Sequence, residues 1–401
     1  MLRDKTIILG VSGGIAVYKA AELLRLYVKA GAKVHVIMTR AAQEFVTPLT
    51  FQTLSGNPVH SELFNLIQEQ EIGHISLADR ADLIVVAPAT ANLIGKVANG
   101  IADDLLTTTL MASKAPVLFV PAMNVNMWEN PLYRQNQEKL EKHGYRFVEP
   151  ATGFLACGWE GKGKLPDPQT IFEESLALLC AGDLGGETVL VTAGPTREEL
   201  DPVRYLSNYS SGKMGYALAR AARARGARVI LVSGPTALTP PAGVETIQVK
   251  SAADMHQAVM KRAAEATIVI KAAAVADYRP VARAAAKVKK KGDGLTLELV
   301  PNPDILADLG RLPAAPLLVG FAAETEELAA NATKKLAAKN LDLIVANDVT
   351  APGAGFDADT NIVRLFYRDG REEALPQEQK ERLAHQLLDR IVALRRDTEV
   401  G

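Results

Sequence analysis

Only two cysteines, Cys157 and Cys180, occur among 401 residues. Two thiols cannot build a disulfide framework, and such sparing use fits a reducing cytoplasm. Neither sign of charge is in excess: 45 Lys and Arg stand against 46 Asp and Glu, for a net charge of −1. Bulk electrostatics therefore give no reason to expect nucleic acid or a membrane surface as partner. No apolar run is long enough to span a bilayer, and the opening "MLRDKTIILG" has no signal-peptide pattern. A G-x-G-x-x-G fingerprint is also missing: the first glycine-rich loop reads "GVSGGIA" (10–16), with Ser12 where the second glycine should stand.

What remains has ordinary globular composition, 48% hydrophobic and 23% charged, and is longer than one core usually serves. Strand-length apolar runs alternate with helical patterns from end to end. "TIILGV" (6–11), "KVHVIMT" (33–39), "DLIVVAP" (82–88) and "PVLFVP" (116–121) read as strands. Between the first two, Ala16, Ala20, Leu23, Leu24 and Tyr27 recur at helical spacing, a βαβ pattern that implies a parallel sheet. The pattern restarts at "ETVLVTAGPT" (187–196) and runs on through "ATIVIKAAAV" (266–275), "PLLVGFAAET" (316–325), "LDLIVAND" (341–348) and "NIVRLFYRDG" (361–370). The expectation is two tandem, doubly wound α/β domains with parallel sheets of the Rossmann or flavodoxin-like type. They span 1–182 and 187–401, with a seam at the glycine-rich "CAGDLGG" (180–186).

In the first domain the Ser12 loop joins a strand to a helix, where backbone N–H groups attract phosphate. The second strand ends in Thr39, where an NAD site wants an acidic residue for the ribose. A phosphate-terminated mononucleotide, such as flavin mononucleotide, fits better than a dinucleotide; a tight turn with no ligand stays open. The third and fourth strands end in "PATAN" (88–92) and "PAMN" (121–124), which with the Ser12 loop would line one crevice. Thr90 and Asn92 there can bond a polar ring edge or act as turn and cap residues. His74, alone, reads first as a surface residue. Cys157 lies in "GFLACGWEGKGKLPDP", where Gly153, Gly158, Gly161 and Gly163 predict a mobile flap. A cysteine on a flap is either catalytic or merely part of the flap.

In the second domain "SNYSSG" (207–212) precedes a helix, and Ser210, Ser211 and the following N–H groups form an anion cradle. It is not a Walker A loop: Ser207 and Met214 stand where that motif needs Gly and Ser/Thr. Asp277 ends "KAAAVAD". The basic run "KVKKK" (287–291) is a solvated face or a binding element, and "PNPDI" (301–305) starts a helix. Lys335 and Lys339, four apart, share a helical face that is either solvated or aimed at a phosphate.

"SGGIA", "GHISLA", "PATANLIGKVANGIADDLL", "PAMNVNMW" and "GFLACGWEGKGKLPDP" together resemble the flavin-dependent cysteine decarboxylases. Both halves, in order, resemble the bacterial bifunctional phosphopantothenoylcysteine decarboxylase/phosphopantothenate–cysteine ligases of coenzyme A biosynthesis. For the first half the resemblance implies FMN held by Ser12, Gly13, Thr39, Thr90, Ala91 and Asn92, with Met123 and Lys164 at the substrate. Asn124 would hold the departing carboxylate and His74 would act as base at the thiol. The flavin would take and return a hydride, and Cys157 would supply the proton to the ene-thiolate. Lys164 stands where the family commonly has arginine, and so lacks the bidentate fork.

For the second half the resemblance implies that Asn208 and the Ser210, Ser211, Gly212 loop handle 4'-phosphopantothenate. Ala273, Ala274, Val275, Asp277, Lys287, Asn302, Pro303, Asp304, Ile305, Phe321, Lys335 and Lys339 would bind CTP, with Mg2+ riding on the nucleotide. The carboxylate would attack the α-phosphate, and cysteine's amine would displace CMP from the acyl cytidylate. Asn208 and Lys287 are the candidate catalytic residues of this step. Trimers of the first domain and dimers of the second are also implied. The rivals are a nicotinamide-dependent oxidoreductase, disfavoured by Ser12 and Thr39, and a non-catalytic flavin-binding regulatory protein. The latter's known examples lack one or more of the residues here present as His74, Asn124 and Cys157.

Overall fold

The computed structural model describes residues 2–63, 73–156, 158–180, 182–290, 295–324, 328–348 and 357–400. It divides into two compact units, Met1–Cys180 and Ala181–Gly401, each a doubly wound α/β sheet.

In the first unit the strand order is Val59–His60, Lys33–Met38, Thr6–Val11, Leu83–Ala89, Val117–Pro121 and Arg146–Phe147, all parallel. Every residue of Leu83–Ala89 is buried, as expected of a parallel strand covered on both faces. The helix Val17–Lys29 buries Val17, Ala20, Leu23, Leu24 and Tyr27, which is the helical spacing visible in the sequence. Tyr27 Oη pairs with Ser175 Oγ at 2.6 Å, fixing that helix to Pro168–Leu179.

The glycine-rich stretch, expected to be a mobile flap, is an antiparallel hairpin of Ala151–Phe154 and Glu160–Lys164. Two of its glycines, Gly161 and Gly163, serve close approach. A Cβ at Gly161 would lie 2.8 Å from Val125 Cγ2, and one at Gly163 would overlap the Met123 carbonyl oxygen. Met123 N–H instead donates to Gly163 O at 3.0 Å.

In the second unit the order is Glu245–Gln248, Arg228–Ser233, Thr188–Ala193, Ile268–Lys271, Leu317–Glu324, Leu343–Asp348, Thr360–Tyr367 and Glu372–Gln379. The first six are parallel; the last two are antiparallel. The expected parallel sheet thus holds over six strands and carries two antiparallel strands at one edge. A tight turn at Asp369–Gly370, with Gly370 at φ +87°, leaves no room for the crossover that parallel neighbours need. The strand Ile268–Lys271 also stops four residues earlier than its apolar run suggests. Ala273–Val275 belong to the loop beyond it, where Ala274 N–H donates to Gly194 O at 3.0 Å. Among the described residues no helix is long and apolar enough to cross a membrane.

Candidate active sites

Strand order in the first unit reverses between Thr6–Val11 and Leu83–Ala89. At such a point the loops leaving neighbouring strands part and open a crevice. Ser12 ties the two loops together: its buried Oγ donates to Pro88 O at 2.7 Å and accepts from Thr90 N–H at 3.0 Å. The other strand-end residues cap the helices that follow. Thr39 Oγ1 accepts from Ala42 N–H at 3.3 Å, Thr90 Oγ1 from Leu93 N–H at 3.4 Å, and Asn124 Oδ1 from Asn126 N–H at 2.8 Å. The cap reading thus holds for Thr90, and Thr39 and Asn124 act in the same way. Gly13 is required by packing, since a Cβ there would overlap Ala41.

A cavity of ≈ 500 Å³ lies at the same strand ends. Met123, Asn124 and Lys164 line it, with Gly14 from the loop and Phe154 and Gly163 from the hairpin. Ser12, Gly13, Thr39, Thr90, Ala91, Asn92 and His74 are not in its lining. Ala91 and the exposed Asn92 open the helix Ala91–Ala98. His74 stands in the first turn of Gly73–Arg80, its Nδ1 buried with no hydrogen-bond partner among the described residues. Cys157 lies outside the described residues; Leu155 and Ala156, just before it, line the cavity. A Cβ on Gly14 would meet nothing within 4 Å, so the loop backbone is open to a ligand. Ile15, Leu155 and Leu165 add apolar lining. An open helix start beside apolar walls fits a flat ring carrying a phosphate.

The second unit repeats the reversal between Thr188–Ala193 and Ile268–Lys271, and a cavity of ≈ 380 Å³ sits there. Asn208, Ser210 and Gly212 line one side; Ala273, Ala274, Val275 and Asp277 line another, with Phe321 and Lys335 beyond. Asn208 Nδ2 donates to Ala274 O at 2.8 Å and so joins the two loops. Gly212, at φ +82°, starts the helix Lys213–Ala224.

Ser211, Lys287, Asn302, Pro303, Asp304, Ile305 and Lys339 are not in the lining. Several of them support it. Asn302 Nδ2 donates to Ala276 O at 2.8 Å, which holds the loop before Asp277. Asp304 caps the helix Ile305–Gly310 and pairs with Lys339 at 2.9 Å. Ile305 is core. Lys287 is exposed, yet its segment is clamped: Val288 N–H donates to Asp201 Oδ2 at 3.1 Å, and Arg204 donates to Val288 O at 2.6 Å. The Arg204 hydrogen bonds hold the Asp201 carboxyl well below the usual range.

Sequence reasoning missed the polar lining residues Lys213, Lys271, Asn347, Asn361 and Lys380. A lysine closing the apolar run "IVIK" was a visible anomaly. Lys380 carried no local signal, because only the antiparallel return of the last strands brings it there. It is buried, and burial together with Lys213 pulls its ammonium below the ordinary lysine range.

Both cavities lie where doubly wound sheets hold phosphate-bearing ligands, and the class they define is a tandem pair of such binding domains. Residues 1–179 match the family model described as Flavoprotein, and residues 184–394 the one described as DNA/pantothenate metabolism flavoprotein C-terminal domain. The chain is 54% identical over 402 residues to Coenzyme A biosynthesis bifunctional protein CoaBC of Bacillus subtilis (strain 168), covering 99% of each. Against the protein of that name from Vibrio cholerae serotype O1 it is 49% identical over 393 residues, 97% of this chain and 98% of that one. The crystal structure of the C-terminal domain of a CoaBC protein is 46% identical, with a TM-score of 0.47, over 54% of this chain and 100% of that one. The chain belongs to the CoaBC family of coenzyme A biosynthesis bifunctional proteins.

Proposed function

We propose that this chain makes 4'-phosphopantetheine in two steps: the second unit ligates cysteine to 4'-phosphopantothenate using CTP, and the first decarboxylates the product with FMN. One observation carries the reading. A chain of this family holds two strand-end cavities, the first lined mainly by apolar side chains with Lys19 and Lys164, the second by four lysines, Lys213, Lys271, Lys335 and Lys380, against the single acid Asp277. That excess of cations suits a nucleoside triphosphate. We also place the enzyme in the cytoplasm, as a homo-oligomer with trimeric first units and dimeric second units.

In the first unit, FMN when bound would supply a hydride acceptor for the carbon next to sulfur, because cysteine's carboxylate has no β-carbonyl to take its electrons. Ser12, Gly13, Thr39, Thr90, Ala91 and Asn92 would hold it. Asn124, whose Oδ1 is committed to Asn126 N–H, would meet the departing carboxylate with its amide N–H groups. His74 would take the thiol proton, and Cys157 would return one to carbon. Met123 and Lys164 would contact substrate, with the hairpin excluding water.

In the second unit the substrate carboxylate would attack the α-phosphorus of CTP and release pyrophosphate; cysteine's amine would then displace CMP. A carboxylate forms no amide in water until it carries a good leaving group. Lys335, Lys287 and Lys339 would offset the charge as two anions are forced together. Asn208 and the Ser210–Gly212 loop would orient the acyl cytidylate. Among the described residues no group of three His, Cys, Asp or Glu side chains converges, so Mg2+ is assigned to the nucleotide with no protein ligand named.

The test is incubation with phosphopantothenate, cysteine, CTP and Mg2+, followed by mass analysis. Phosphopantetheine and CMP are expected. No CTP-dependent acyl product would remove the ligase assignment. Phosphopantothenoylcysteine as the end product, with FMN supplied, would remove the decarboxylase assignment.

A further inference from the structure

Lys271 closes the central strand Ile268–Lys271, paired with Thr192 on one side and Gly320 on the other. It lines the second cavity. The other cations nearby are engaged by the protein: Lys213 Nζ pairs with Asp359 at 2.9 Å, and Lys339 with Asp304 at 2.9 Å. Lys271 has no hydrogen bond or ion pair among the described residues. The charges facing it are Lys335 and Lys339 from the helix Leu328–Ala338 and its C-terminal end, Asp304 from the cap of Ile305–Gly310, and Asp277 from the loop after its own strand. Across the cavity stand Lys213 and Lys380. A half-buried cation among four other lysines, with Asp304 already claimed by one of them and Asp277 the one carboxylate left facing it, is bonded to no anion among the described residues.

We propose that Lys271 is a further nucleotide-binding residue, whose ammonium takes the polyphosphate of the incoming nucleotide as its partner. This rests on the reading of the second cavity as a nucleotide site. Burial, followed by repulsion from Lys339, pulls the Lys271 ammonium down to about 8. A polyphosphate at the cavity favours the charged form and raises that value. Binding therefore draws a proton from solution once the pH exceeds about 8. Affinity is full below that pH and is lost as the pH climbs toward the raised value of the complex.

The experiment is calorimetric titration of the full chain with CTP and Mg2+, without phosphopantothenate, in two buffers of different ionisation heat at pH 7 and pH 8.5. The wild type should take up roughly half a proton or more at the higher pH and far less at pH 7. Lys271→Met should bind CTP roughly tenfold or more weakly at pH 7, with the uptake gone. Lys271→Arg stays charged and should bind well without the uptake. Unchanged affinity or unchanged uptake in Lys271→Met overturns the proposal. If Lys271→Met does not fold, Lys271→Arg decides, and uptake retained there overturns it. A wild type that binds no CTP is a different result: it overturns the nucleotide reading itself.

Discussion

The two units open their crevices by the same reversal of strand order and differ in what stands at the mouth. In the first, the strand-end residues are neutral and local: Thr39, Thr90 and Asn124 each cap the helix that follows. In the second, the lining cations come from four separate elements: Lys213 and Lys335 from two helices, Lys271 from a strand, and Lys380 from the start of the last helix. On the proposed function one topology would serve two kinds of ligand. Neutral caps would leave helix-start N–H groups to hold one phosphate beside a flat ring. Scattered lysines would build a field for several phosphates. Breaking one set should leave the other intact, since each unit has its own sheet and core.

The largest expected effect is on the first unit. Cys157→Ser removes the proposed acid after carbon dioxide has left, and phosphopantetheine formation should fall about 10²- to 10⁴-fold. Pyrophosphate release by the second unit should not change. Mass analysis should find the ene-thiol product accumulating. Normal phosphopantetheine formation would leave Cys157 without a catalytic role.

Next comes the division of labour inside the second unit. Lys287→Gln should slow pyrophosphate release roughly a hundredfold or more, even without cysteine. Asn208→Asp sets a carboxylate against Ala274 O in place of the 2.8 Å donor bond. It should still release pyrophosphate and then stall, leaving phosphopantothenoyl-CMP detectable by mass. Failure of both variants at the same half-reaction would refute the split. Normal ligation by Lys287→Gln would return the exposed basic run to a solvated face.

The same contrast explains what was legible in the sequence. Caps are local signals, so Thr39, Thr90, Asn124 and Asp304 could be read at their strand ends or helix starts. The helix Val17–Lys29 could be read because its buried face repeats at helical spacing. Lys380 was invisible, since its approach depends on two antiparallel strands that an apolar run alone does not orient. Asp201 and Arg204 were missed for a similar reason: Val288, the segment they hold, lies far away in sequence. The hairpin glycines were seen, but composition does not tell an unconfined glycine such as Gly158 from one pressed against a neighbour such as Gly163.

The close approach at Gly163 gives a third, smaller effect. Gly163 has φ +149°, and a Cβ there would overlap Met123 O. Gly163→Ala should therefore push the hairpin off the Met123–Asn124 strand end. Strain of about 1–3 kcal/mol corresponds to a roughly five- to hundredfold loss of decarboxylation, with ligation unchanged. Steady-state rates of the two half-pathways, measured on one preparation, check it. Equal rates in variant and wild type would show that the hairpin's docking does not govern the chemistry.

The smallest effect should come from Lys164→Arg. Lys164 is exposed, it lines the first cavity, and its stem passes Gly153 across the hairpin, with Cδ 3.9 Å from where a Cβ would stand. The charge is kept, and arginine adds a planar fork that suits a phosphate or carboxylate. A single exposed cation contributes about 1 kcal/mol or less, so KM for phosphopantothenoylcysteine should fall by roughly fivefold at most while kcat holds. A drop in kcat instead would mean that Lys164 loses or gains a proton during turnover, a task arginine cannot perform because it stays protonated. The first cavity would then contain a titrating cation of its own, as the second does at Lys271, and the contrast between neutral caps and working lysines would no longer separate the two units.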